Sequence, residues 1–153
     1  MLSSLESRIP PPFVALVTAL VMGTTLGGDP RFEPGFTVNL IYTVLMNLSW
    51  VIAGAALLVM WRARTTINPM HPERSSALVT TGIYAWSRNP MYVSLLCLLM
   101  GYSLQLGHVA AVLGPILFVS YVTRFHIVPE ERALEARFGD AYRAYKARVR
   151  RWI

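Results

Sequence analysis

Leu78 to Tyr92 reads LVTTGIYAWSRNPMY. It stands between two apolar halves and carries most of the specific chemistry of the chain. Thr80, Thr81 and Gly82 make a tight polar bend. Tyr84 and Trp86 put two aromatics on the short run after it, and Arg88 is a fixed charge beside the next apolar run. Asn89 is a good helix N-cap and Pro90 is well tolerated at a first helical position, so the spacing predicts a helix from Pro90. The positive end of that helix dipole faces the loop, which suits a small anionic or zwitterionic ligand. A capped helix start with an interfacial belt of Tyr, Trp and Arg explains the same residues more plainly. On spacing alone the plainer reading comes first.

Composition sets the class. The chain has 153 residues, enough for one domain; 54% are hydrophobic and only 14% charged. Mean hydropathy is +0.45, and the composition is that of a membrane protein. The one cysteine, Cys97, lies in an apolar run, so neither a disulfide framework nor a thiolate cluster can form within the chain. His71, His108 and His126 lack ligand spacing, and no metal is expected.

The fold class expected is all-α integral membrane: four spans plus an interfacial amphipathic C-terminal helix, in a single domain over residues 1–153. Residues 13–61 read as an N-terminal helical hairpin and 62–153 as the module carrying the site. The first span, about Phe13 to Leu26, has signal-peptide features but no small-x-small cleavage site, so it reads as a retained span. The second, about Phe36 to Trp61, is uncharged. Asn39, Asn47 and Ser49 inside it read first as interhelical hydrogen-bond glue and second as the lining of a cavity. Gly54, Ala55 and Ala56 suggest a close helix–helix approach. The third span runs from Pro90 to Leu106 and the fourth from Val109 to Val128, with a tight turn at Gly107-His108 and an expected kink at Gly114-Pro115.

The tail from Pro129 to Ile153 has another pattern. Leu134, Phe138, Tyr142, Tyr145, Val149 and Trp152 recur at steps of three or four and share one helical face. Basic residues fill the rest, and an interruption is expected at Gly139-Asp140. Of the fourteen Lys and Arg residues, the side holding the first and third loops receives only Arg31. The positive-inside rule then places both termini, the long second loop and the tail in the cytoplasm. Leu78–Tyr92 and Glu130–Tyr145 therefore share a membrane face.

LVTTGIYAWSRNPMY resembles the signature of the isoprenylcysteine carboxyl methyltransferase family, related to the phospholipid methyltransferases. Pro129 to Tyr145, PEERALEARFGDAYRAY, resembles that family's second block. Both blocks stand in the expected order, and the match covers about Ser76 to Ile153. The resemblance implies S-adenosylmethionine as methyl donor and a lipophilic acceptor (carboxylate, thiol or amine headgroup). It implies donor contacts at Ser76, Ala77, Leu78, Val79, Tyr84, Asn89, Pro90, Met91, Tyr92 and Glu130. Tyr84, Trp86 and Tyr92 are candidates to face the sulfonium by cation–π contact, worth about 0.5–2 kcal/mol each.

Two departures from the family pattern stand out. Asn89 replaces the family histidine before the proline, which keeps a donor but removes a titrating group. Where the eukaryotic enzymes carry an arginine near the substrate carboxyl, this chain has His126, with Arg124 half a turn earlier. His126 and Arg124 are the acceptor-positioning candidates, and a switchable histidine is a poorer carboxylate partner than arginine. The chain looks like a minimal bacterial form, which implies the bacterial inner membrane. Two other readings compete: an oxidoreductase of sterol-reductase type using a nicotinamide cofactor, and a non-enzymatic membrane assembly protein.

Overall fold

The computed structural model describes residues 9–28, 30, 32–63 and 78–153, and among them there are helices and turns but no strand. The described residues form six α-helices in order: α1 Pro11–Leu26, α2 Phe36–Arg62, α3 Pro90–Gln105, α4 Leu113–Val122, α5 Val128–Phe138 and α6 Asp140–Arg148. The predicted starts at Phe36 and Pro90 hold to the residue.

Among the described residues, two helices are long and apolar enough to cross a membrane: α2, and the continuous helix Val109–Phe138 that contains α4 and α5. α1 and α3 are shorter apolar helices. The 27 residues of α2 extend about 40 Å. Phe36, Trp50, Val51 and Trp61 on α2, and Ile116 and Leu117 on α4, point outward as exposed apolar side chains. Such faces are at ease in hydrocarbon rather than water.

α3 is the hub, packing against α1, α2 and α4. Ala15 and Met22 of α1, Tyr92 and Leu99 of α3, and Phe118 and Val122 of α4 form the main core with Ala111 and Ile127. The α2–α3 seam is made by small residues. Ala56 is fully buried, and Gly101 lies against Tyr42 and Leu45. Gly54 faces open space, so of the three small residues expected at a close contact it takes no part, whereas Ala55 is half-buried and Ala56 fully buried. Two of the three α2 candidates act as glue: Ser49 Oγ donates to the Ser94 carbonyl at 2.8 Å, and Asn39 Oδ1 accepts from Gln105 Nε2 at 2.8 Å. Asn47 instead donates to Thr43 within its own helix.

The turn before α4 forms as expected. Gly107 takes φ +60°, and His108 Nδ1 accepts from the Ala110 amide at 3.3 Å. Gly114-Pro115, where a kink is expected, lies in the first turn of α4, where proline is tolerated, directly after the 3-10 turn Val109–Val112, and Gly114 lets Met22 of α1 come close. The helix also continues past Pro129, where the sequence reading ended the span. The reason is local. Residues Thr123–Ile127 form a π-helical turn, and the Val128 amide bonds the Thr123 carbonyl five residues back. This wider turn comes just before Pro129, where a regular ladder would lose an amide and clash with the proline ring. The expected break at Gly139 is real: with φ +52° it separates α5 from α6.

Candidate functional site

The site lies where the loop before α3 meets the tail. Gly82 opens a short 3-10 turn, Gly82–Ala85, at φ +61°. A Cβ there would come within 2.8 Å of Val59 on α2, so both backbone and space call for glycine. The turn places Tyr84, whose carbonyl accepts from the Tyr145 hydroxyl at 2.7 Å. One turn into α3, the Tyr92 hydroxyl donates to Glu130 Oε1 at 2.5 Å. Burial first, and the Glu130 charge second, push the Tyr84 phenol up to about 12. It therefore remains a neutral donor at physiological pH. Tyr84, Tyr92 and Glu130 thus form one cluster of two phenols and a carboxylate, drawn from three separate stretches.

Glu131, the next residue, has a different task. Its carboxylate takes a two-point bond from Arg151, at 2.9 Å from Nε and 2.8 Å from Nη2. It also pairs with Arg88 Nη1 at 2.9 Å. Arg88 and Glu131 side chains are each only 9% exposed. The same guanidinium approaches the Tyr142 hydroxyl at 3.4 Å. Backbone bonds reinforce the junction: the Arg88 amide donates to the Arg150 carbonyl at 3.0 Å, and Asn89 Nδ2 donates to the Arg151 carbonyl at 2.9 Å. Asn89 thus occupies the N-cap position of α3, but its side chain makes no cap bond and ties down the tail instead.

The apolar face of α6 is used inside the protein. Tyr142, Tyr145 and Val149 are buried together, with Leu78, Leu134 and Phe138 packed against them. Trp152 packs instead against the main core.

The remaining sequence-derived candidates divide clearly. Pro90 is fully buried at the start of α3, and Met91 and Val79 are half-buried. Ser76 and Ala77 lie outside the described residues. Trp86 is 78% exposed and is not packed with the two tyrosines. His126 is fully buried beside Tyr121, with ring centroids 6.1 Å apart. Arg124 is exposed, its guanidinium 5.5 Å from the Phe125 ring, so the two acceptor-positioning candidates are not brought together. Sequence reasoning named neither Arg151 nor Glu131. Nothing local in the sequence points from the second glutamate of the Pro-Glu-Glu run to Arg151, twenty positions on. Among the described residues, no group of three or more His, Cys, Asp and Glu side chains is placed to hold a metal ion.

A profile of the phospholipid methyltransferase family matches residues 37–141, more than half of the chain. The protein-S-isoprenylcysteine O-methyltransferase of Schizosaccharomyces pombe is 29% identical over 126 residues, 76% of this chain and 52% of that protein. The human protein of the same name is 31% identical over 130 residues, 72% of this chain and 44% of that protein. An uncharacterized protein of Haemophilus influenzae is 49% identical over 63 residues, which is 41% of this chain and all of that protein. The chain thus spans about half the length of the two methyltransferases it matches. No solved structure is significantly similar.

Proposed function

The chain belongs to the phospholipid methyltransferase family, and we propose that it transfers a methyl group from S-adenosylmethionine to a lipophilic acceptor carrying a carboxylate, thiol or amine. The cluster of Tyr84, Tyr92 and Glu130 carries this reading. S-adenosylmethionine supplies an electrophilic methyl on a sulfonium, and the residues present suit it. Two phenol rings offer cation–π contact to the positive sulfur. A carboxylate has about four lone-pair directions, and the Tyr92 hydroxyl uses one, so Glu130 has capacity for hydroxyl or ammonium groups. Leu78, Val79, Asn89, Pro90 and Met91 complete the proposed donor site, with Ser76 and Ala77 at its undescribed edge.

The protein's part is to bind, orient and exclude water. Methyl transfer at a sulfonium needs no metal, and positioning alone supplies about 7–11 kcal/mol of the barrier reduction. The junction of Arg88, Glu131 and Arg151 holds the loop and tail in register around the cluster. His126 is proposed to position the acceptor, with Arg124 at the exposed edge of that site rather than beside the imidazole.

We place the site at the cytoplasmic face of a bacterial inner membrane. In this reading α1, α2, α3 and the Val109–Val128 part of the long helix form four spans, with the basic tail from Pro129 at the interface. The nicotinamide alternative fits less well. A dinucleotide diphosphate calls for unspent cations, and Arg88 and Arg151 are both committed to Glu131.

The test is calorimetric titration of S-adenosylmethionine, and separately of NADPH, into detergent-purified protein. Saturable binding of the first and none of the second is expected. NADPH binding without S-adenosylmethionine binding would replace the proposal with the oxidoreductase reading.

A further inference from the structure

We propose that the acceptor is a lipophilic thiol and that His126 takes its proton. The proposal rests on the methyl-transfer reading above. The His126 side chain is fully buried, and among the described residues neither ring nitrogen has a hydrogen-bond partner. Thr123 Oγ1, in the same π-helical turn, is also buried without a partner. Buried polar atoms nearly always find partners, so two orphaned side chains in one turn call for a ligand. Turns of this kind are frequent at functional sites. His126 lies four residues before Glu130, so the two share a helix face, and Glu130 holds Tyr92 of the proposed donor site. Tyr121 borders both the imidazole and an apolar groove of about 410 Å³ between α1 and α4. In the proposal an apolar acceptor approaches the imidazole from that groove, past the Tyr121 ring.

The chemistry of this pair selects among acceptors. A carboxylate needs no base but needs a cation beside it. Arg124, the cation nearest in the chain, is exposed about half a turn away from the imidazole. An ammonium must be desolvated with its charge and must lose a proton before it can attack. A thiol enters neutral and needs one base. In the step, the acceptor sulfur forms a bond to the methyl carbon while its S–H bond breaks. The proton passes to a His126 nitrogen. The bonding pair of the old carbon–sulfur bond stays on the donor sulfur, and the positive charge moves from sulfonium to imidazolium. The Thr123 hydroxyl is placed to hydrogen-bond the reacting sulfur.

The first readout needs no methyl donor. A prenyl thiol is titrated into the full-length, detergent-solubilised protein with labelled histidines. One imidazole resonance should shift, and that resonance should be missing in His126→Gln. With labelled S-adenosylmethionine, transfer to the prenyl thiol should exceed transfer to a matched fatty acid or fatty amine by about 100-fold. His126→Gln should lower thiol transfer by about 100-fold, the lower range for general-base catalysis, while donor affinity stays within about threefold. The acceptor panel needs no variant, so it decides the matter even if His126→Gln does not fold. An unmoved imidazole, preferred transfer to the acid or amine, or an undiminished rate in a folded His126→Gln protein would overturn the proposal. Failure of the wild-type protein to bind S-adenosylmethionine would overturn the methyl-transfer reading itself, whereas the imidazole shift reports on the thiol site alone.

Discussion

Helix α2 turns Phe36, Trp50, Val51 and Trp61 outward and meets α3 through small side chains. The junction of residues 84–92 with 130–152 is held instead by directed bonds: Arg88 and Arg151 to Glu131, Tyr92 to Glu130, and Asn89 to the Arg151 carbonyl. The first region needs only shape and an apolar medium. The second needs particular partners drawn from the loop, α5 and the tail. A bundle built from generic apolar helices can tolerate drift, but a site that must align a methyl group with a nucleophile cannot. The directed bonds are concentrated where precision is required.

The largest expected effect comes from breaking the junction at its centre. Glu131→Ala leaves the buried Arg88 guanidinium without its carboxylate. Removing one partner of a buried pair costs about 3–5 kcal/mol, with Arg151 adding little because it is partly solvated. The check is the midpoint of denaturation in mixed detergent, and an unchanged midpoint would show that the junction is not what orders the tail.

Gly82→Ala comes next. It forces an alanine into a positive-φ position and against Val59 of α2, at a cost of about 1–2 kcal/mol. The same denaturation series reads it, and donor affinity should fall with it because Tyr84 follows in the same turn.

Ser49→Ala tests the one buried directed bond between α2 and α3. The expected loss is about 0.5–1.5 kcal/mol with donor affinity unchanged. A drop in affinity would mean that α2 helps to set the site. Gly54→Ala is the smallest. Open space surrounds Gly54, so the change should be neutral or should stabilise by up to about 1 kcal/mol through helix propensity. A clear destabilisation would reveal a contact on the outer face of α2.

Legibility in the sequence followed the same division. The starts of α2 and α3, the Gly107 turn and the Gly139 break were readable because each depends on local chemistry: an uncharged run, a cap position, a glycine at positive φ. The common face of Leu134, Phe138, Tyr142, Tyr145 and Val149 was readable from helical spacing, but Trp152, beyond the end of α6, packs against the main core instead, and spacing could not say that Leu78 would help cover the face. Pro129 misled, because a π-helical turn upstream absorbs the strain that normally ends a helix. Glu131 and Arg151 stayed hidden because their partnership spans twenty positions and has no periodic signature. Asn89 was legible as a donor, but the carbonyl it serves, on Arg151, was not.

The most direct measurement is the affinity for S-adenosylmethionine in wild-type, Glu130→Ala and Tyr92→Ala proteins, each first checked for wild-type helicity and a single monodisperse species in detergent. The account predicts saturable binding to the wild type and none to either variant, since each change removes half of the Tyr92–Glu130 pair. Wild-type affinity in both variants would contradict it and move the donor site away from the junction of loop and tail.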